Sequence, residues 1–160
     1  MEEDDLFSLP NIKKETWVAK EDGLIYWVET INDNVTGTVA CEPYSKLQLY
    51  EATIQSYVNL NGETILITKI IPCGFEGCEN LKRIVIPDSI TNIGFACFKD
   101  CISLEEVFIP DSVTHIGFGV FAGCKNLKKV SLPAHLEVKD NVFSVSDARL
   151  VEIKRRLEQT

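Results

Sequence analysis

The sequence predicts a β-rich solenoid of short, parallel-stacked coils, with an antiparallel β-hairpin cap before them and a capping helix after them. Three observations support this fold class. Landmark residues recur at a fixed interval, apolar residues within each repeat alternate as in a strand, and turn dipeptides join β-branched runs before the repeats. Because a single coil cannot bury its own apolar face, the coils must stack on one another.

Composition and charge narrow the function classes. The chain has 160 residues, 45% of them apolar, and a formal net charge of −8. The apolar content is sufficient for a buried core. The negative net charge argues against nucleic acid as a partner. No run reaches the ~18 apolar residues of a membrane span, so we expect no membrane insertion. Residues 1–15, which open with an acidic run, are predicted to be a flexible tail.

The repeat is visible in three landmarks, each spaced by 23 residues, as in 101 − 78 and 124 − 101. These landmarks are Cys78, Cys101 and Cys124; Leu81, Leu104 and Leu127; and Pro87, Pro110 and Pro133. We assign residues 68–146 to repeats, about two of them full and two partial, with one residue deleted after Pro133.

Each repeat is predicted to form one coil. In the pattern L-x-x-I-x-I-P, the first, fourth and sixth residues face inward, and the third and fifth face outward. The proline ends the strand because it has no N–H to donate. A second short strand is expected over residues 90–93, followed by a short helical or 3-10 turn around Cys97–Cys101.

The segment Leu104–Cys124, which reads L-x-x-V-x-I-P-x-S-V-T-x-I-G-x-x-x-F-x-x-C, resembles the BspA-like leucine-rich repeat. The likeness extends over roughly residues 63–146. It implies a leucine-rich-repeat solenoid and a role in recognition or adhesion at the cell surface, without enzymatic activity in the repeats.

The residues before the repeats are predicted to form hairpins. Strands at 24–29 and 35–40 flank a turn at 32–34, and strands at 53–60 and 63–67 flank Asn61-Gly62. Asn-Gly between two β-branched runs is a strong hairpin signal. We therefore assign residues 16–67 to an N-terminal cap.

The residues after the repeats, 147–160, are predicted to form a helix capped by Asp147. Leu150, Ile153 and Leu157 would share one of its faces. We expect this helix to cover the last coil, because a solenoid's open end needs a cap. Docking on a partner, or pairing with a second copy of the chain, is the alternative.

Six cysteines allow two interpretations. Four of them, Cys73, Cys78, Cys97 and Cys101, could suggest a thiolate zinc site. The repeat favours a structural role, because Cys78, Cys101 and Cys124 share one position and would stack as small apolar side chains. No C-x-x-C pair is present, so we expect no metal and no cofactor.

Catalytic residues are not evident. His115 and His135 are predicted to occupy an outward position and a turn, without a nucleophile at a known motif spacing. Phosphate-binding glycine loops are absent from the sequence as well. We therefore expect a protein that is not an enzyme.

The outward strand positions are the candidate contact residues. The charges at two outward positions alternate in sign from coil to coil: Lys82, Glu105 and Lys128 at the second position, and Arg83, Glu106 and Lys129 at the third. Each cross-strand pair of opposite charges stabilises the fold by about 0.2–1 kcal/mol. The fifth position holds Val85, Phe108 and Ser131, and an outward phenylalanine implies a covering surface. A protein partner would contact the residues Arg83, Val85, Glu106, Phe108, Lys129 and Ser131. Coverage of Phe108 by the cap is the alternative.

These observations predict a monomeric, non-enzymatic module that binds a protein partner through the exposed face of its repeat sheet. The alternatives are a structural or adhesive, self-associating unit and, third, a thiolate metal site. If Met1 is the natural start, the absence of a signal peptide predicts the cytoplasm. The resemblance instead implies the cell surface or secretion.

Overall fold

The structure, a computed structural model, describes residues 13–31, 33–138, 140–142 and 152–155. Of the tail predicted at 1–15, residues 1–12 lie outside the described residues, and 13–15 begin the first strand. The domain boundaries expected from sequence stay predictions. The described residues form twelve strands: β1 (Lys13–Glu21), β2 (Leu24–Ile31), β3 (Asn34–Cys41), β4 (Glu51–Thr53), β5 (Tyr57–Leu60), β6 (Glu63–Ile70), β7 (Arg83–Val85), β8 (Asn92–Ile93), β9 (Glu106–Phe108), β10 (His115–Ile116), β11 (Lys129–Leu132) and β12 (Glu152–Arg155).

The N-terminal strands form the two hairpins that the sequence predicts. β2 and β3 pair antiparallel from Leu24↔Cys41 to Ile31↔Asn34, and β1 pairs with β2. β5 pairs antiparallel with β6 around Asn61 and Gly62, whose φ angles of 51° and 83° are both left-handed. Two left-handed residues are what a two-residue type I′ hairpin turn requires.

Parallel strands build two opposing ladders in the repeats. The back ladder has the order β3-β6-β8-β10, and the front ladder consists of β4-β7 and β9-β11-β12. Val107 pairs with Val130 across β9 and β11, and Ile84 lies in β7, which contacts β9. All three are buried, so the predicted inward stack of these residues is confirmed. The core fills the space between the ladders.

The first coil of the array contains β4, which lies before residue 68. β4 pairs parallel with β7, and Leu49, Ala52 and Ile54 are buried at the first, fourth and sixth positions of the repeat pattern. The β5–β6 hairpin interrupts this coil. The backbone N–H of Gln55 donates a 3.0 Å hydrogen bond to the Tyr26 hydroxyl, which ties the coil to the cap.

The segment predicted as a short helical or 3-10 turn around Cys97–Cys101 is a series of tight turns with hydrogen bonds of the 3-10 type. Lys99 N–H donates to the Ala96 carbonyl and Cys101 N–H to the Phe98 carbonyl, each three residues back. Ala96 has a φ of 50°, and its equivalents Cys73 and Gly119 are also left-handed, at 58° and 64°. A left-handed turn position explains why side chains are small there.

The C-terminal helix predicted at 147–160 is wrong at residues 152–155, which form β12 parallel to β11 with Val130↔Ile153 in register. The rest of that range lies outside the described residues. Leu150 and Ile153 follow Leu127 and Val130 by 23 residues (150 − 127 and 153 − 130). Their spacing of three fits a helix face and the repeat's L-x-x-I equally well. The strand also satisfies the exposed hydrogen-bonding edge of β11.

Candidate protein-binding surface

The front ladder positions the predicted contact residues by strand alternation. In β7 the exposed Arg83 and Val85 flank the buried Ile84. In β9 the exposed Glu106 and Phe108 flank a buried valine in the same way. In β11 the outward positions are Lys129 and Ser131, both partly exposed. We call the outward side of β4, β7, β9 and β11 the strand face.

The strand face forms an open concavity of about 810 Å³. All six residues predicted to contact a partner line it: Arg83, Val85, Glu106, Phe108, Lys129 and Ser131. Their role in binding stays a prediction. Lys82 and Glu105 line the concavity too, as does Glu51, which the sequence analysis did not connect with the site. The pattern Leu49-x-x-Ala52-x-Ile54 could have revealed Glu51 as a third-position residue.

Two apolar side chains stand on this face. Val85 is 56% exposed and Phe108 is 55% exposed, so the cap leaves more than half of Phe108 accessible to solvent. Thr53 pairs with Val85, and Ser131 with Phe108, so the fifth positions form one column across the coils. Large apolar groups in the middle of a charged, concave surface favour a covering partner.

The third positions form a column of alternating charge beside the apolar one. Glu51 pairs in register with Arg83, and Glu106 with Lys129, while β7 and β9 are neighbours. Within the described part of the chain, none of these four side chains forms an ion pair within 4 Å. Their charges are therefore available to a ligand.

The cysteines form the buried ladder that the repeat predicts. Cys78, Cys101 and Cys124 are almost fully buried. The Cys101 and Cys124 thiols donate to the carbonyls of Phe75 and Phe98, at 3.1 and 3.0 Å. Burial raises the pKa of the Cys101 thiol. Among the described residues, no group of three or more His, Cys, Asp or Glu side chains is placed to hold a metal ion.

The two histidines make local contacts in separate places. His115 is exposed, with its Nδ1 2.8 Å from the Thr114 hydroxyl. His135 lies against the preceding coil, with its Nε2 3.0 Å from the Val113 carbonyl oxygen. That neither is catalytic stays a prediction.

A second exposed aromatic feature was not anticipated. Phe95 and Phe118 follow β8 and β10, and their rings stack with centroids 5.2 Å apart and planes 5° apart. They are 43% and 60% exposed. Their 23-residue interval (118 − 95) was the available signal. No helix among the described residues has the length and apolar character needed to cross a bilayer.

Comparison with solved structures reveals similar folds. A leucine-rich repeat protein from Bacteroides capillosus is 26% identical, with a TM-score of 0.68 over 86% of this chain and 97% of that one. A leucine rich cell surface protein from Faecalibacterium prausnitzii is 22% identical, with a TM-score of 0.60 over 88% of this chain and 43% of that one. The T. pallidum leucine rich repeat protein is 19% identical, with a TM-score of 0.54 over 75% and 63% of the two chains. The last two likenesses show the fold alone.

No curated protein matches the sequence. The BspA type leucine rich repeat region matches residues 48–159 in 6 copies, which is well over half of the chain. The match begins at the coil that contains β4 and ends beyond β12, in agreement with the front ladder of the structure. The chain therefore belongs to the BspA type leucine-rich repeat family.

Proposed function

We propose that this chain is a non-enzymatic recognition module that binds a protein partner through the strand face, with Phe108 as the apolar anchor. The observation that carries the proposal is the exposure of Val85 and Phe108 in the middle of the concavity, beside charged side chains that form no ion pair in the described part of the chain. Aromatic side chains surrounded by polar groups are the usual centres of protein interfaces.

The size of the face limits the affinity. Four strands about 4.8 Å apart give a width of about 19 Å. A stable interface buries about 800 Å² per partner, which exceeds what this face alone offers. We therefore expect modest affinity, with most of the binding energy at Phe108 and Val85.

The test compares two phenylalanines of similar exposure. Phe108→Asp should abolish capture of protein partners from a lysate of the source organism, because it places a charge at the anchor. Phe118→Asp, with the same change on another surface, should leave capture unchanged. Circular dichroism of both variants checks that the fold is retained. Capture of the same proteins, in the same amounts, by wild type and by Phe108→Asp would overturn the proposal.

A self-associating unit is the second candidate function. The alternating charges of Glu51, Arg83, Glu106 and Lys129 favour it, because this column is complementary to its own reverse.

A further inference from the structure

We propose that the partner of the strand face is a second copy of this chain, docked face to face about a two-fold axis. The axis would lie between β7 and β9, parallel to the strands. The inference rests on the proposed function, since it uses the same face, and it adds the identity of the partner.

The charges on the face are complementary under this rotation. A two-fold axis parallel to the strands keeps each column opposite itself and reverses the order of the coils. Arg83 then faces Glu106 of the second copy, and Glu106 faces Arg83 of the second copy. One coil further out, Glu51 faces Lys129 of the second copy. In the neighbouring column, Lys82 faces Glu105 in the same manner. Each of these pairs joins opposite charges.

The apolar column agrees with the same axis. Val85 and Phe108 hold the fifth positions of the two coils that flank the axis. Rotation sets Val85 of each copy against Phe108 of the other, so these two exposed apolar side chains meet at the centre of the face. The charged pairs surround this centre, as polar rims surround apolar interface cores.

An end-to-end arrangement does not have this complementarity. Glu152 follows Lys129 in register on β12, so the third-position column ends in an acidic residue on both sides, with Glu51 at the other end. Stacking β12 of one copy beside β4 of the next would bring the register positions of two acidic residues, Glu152 and Glu51, opposite each other, and pairing of like-charged residues is destabilising. The charge pattern thus favours a closed pair over an open filament.

The small area implies a weak dimer. With less than the ~800 Å² per partner of a stable interface, we expect a dissociation constant on the order of 0.1–1 mM. The chain would then be the monomer that the sequence predicts at ordinary concentrations. Because added salt screens exposed charges, we expect the dimer to weaken at least threefold between about 0.05 M and about 1 M NaCl.

The decisive experiment uses charge-reversal variants in sedimentation equilibrium from about 10 µM to about 1 mM, which spans the expected dissociation constant. In Arg83→Glu, the new carboxylate would face Glu106 of the other copy at both symmetry-related pairs. In Glu106→Arg, the new cation would face Arg83 of the other copy at both pairs. Each variant alone should dimerise at least 10-fold more weakly than wild type. Mixed in equal amounts, they should form a heterodimer, because both central pairs are again of opposite sign. Lys125→Glu, an exposed charge reversal off the face, should not change the dimer.

The outcomes separate this inference from the proposed function. A wild type that stays monomeric to about 1 mM, or variants that fail to associate with each other, would overturn the homotypic pairing. If Phe108→Asp nevertheless abolished capture from the lysate, the face would bind a different protein and the proposed function would stand. Formation of the mixed heterodimer, together with loss of wild-type dimer in Phe108→Asp, would support both.

Discussion

The rings of Phe98 and Phe121 stack across neighbouring coils, with centroids 5.9 Å apart and planes 8° apart. Phe75 continues the column on the other side of Phe98, at 5.5 Å. All three rings are buried on the turn side of the core. Each coil supplies one ring of the column. Each ring therefore contributes to the packing of its coil against both neighbouring coils. In a solenoid, such contacts between neighbours carry much of the stability.

Removal of the middle ring should therefore destabilise the array. We expect Phe98→Ala to lower the free energy of unfolding by about 3–5 kcal/mol, because it leaves a cavity and breaks two ring contacts. Urea denaturation followed by circular dichroism measures the change. The control is Phe118→Ala, which removes an exposed stacked ring and should cost about 1 kcal/mol. Similar losses in the two variants would contradict the central role of the buried column.

The close approach of successive coils makes a second prediction at Gly117. A Cβ at this position would lie 2.5 Å from the Phe95 Cα in the preceding coil, where only backbone is present to move. We expect Gly117→Ala to cost about 2–3 kcal/mol by overpacking. In Gly62→Ala the added Cβ has open space, and the cost of about 1 kcal/mol comes from a φ of +83° alone. Thermal melts of both variants measure the difference, and an equal cost would contradict the steric explanation.

The sequence predicts correctly those parts of the fold in which the repeat pattern is compatible with a single structure. The inward positions of Leu104, Val107 and Ile109 follow from strand alternation, and their burial confirms them. The outward positions follow from the same rule. For this reason the six predicted contact residues meet on one face. Glu51 lies on the same face but was not among the residues predicted from the sequence.

The errors arise where local patterns fit two structures. The spacing of Leu150 and Ile153 fits a helix as well as a repeat strand, and only the 23-residue interval from Leu127 favours the strand. In the first coil, the inserted β5–β6 hairpin changes the interval between Leu49 and Leu81 to 32 (81 − 49), which concealed the coil. The left-handed backbone of Cys73 and Ala96 is signalled only by the small side chains at this position and by its glycine equivalent, Gly119.

An incomplete row of side-chain hydrogen bonds allows a stabilising change. The Asn126 side-chain amide donates to the Ile102 carbonyl at 2.6 Å, and that of Asn80 donates to the Leu47 carbonyl at 2.8 Å. Position 103, between them in the repeat, holds serine. We expect Ser103→Asn to donate to the Glu79 carbonyl and to raise the free energy of unfolding by about 0.5–1 kcal/mol. Urea denaturation measures the change.

The matched reverse change is Asn126→Ser, which should lower the free energy of unfolding by about 1 kcal/mol, because the shorter side chain loses its bond to Ile102. A double variant should be close to wild type if the two sites act independently. Destabilisation by Ser103→Asn would show that the Glu79 carbonyl is not positioned like that of Ile102.

The buried thiols predict how stability depends on pH. Burial raises the pKa of the Cys97 thiol, and also that of Cys101, where nearby Cys124 adds to the rise. The folded chain therefore keeps these protons at a pH where the unfolded chain releases them, above about 8.5. The stabilising contribution is complete below that pH and is lost as the pH rises. The loss is up to about 1.4 kcal/mol per pH unit for each thiol.

Denaturation at pH 7 and at pH 10, under reducing conditions, tests this dependence. Cys101→Ala removes one titrating thiol, so its free energy of unfolding should fall less between the two pH values than that of wild type. The free energy of unfolding of the double variant Cys97→Ala/Cys101→Ala should fall least between the two pH values. The cavity lowers the stability of a variant equally at both pH values, so it cancels when the two values are subtracted. Titrating groups that all three proteins share then cancel when these differences are compared between proteins. If all three proteins lost the same stability, the two thiols would ionise alike in the folded and unfolded chains, and their burial would not control the response to alkaline pH.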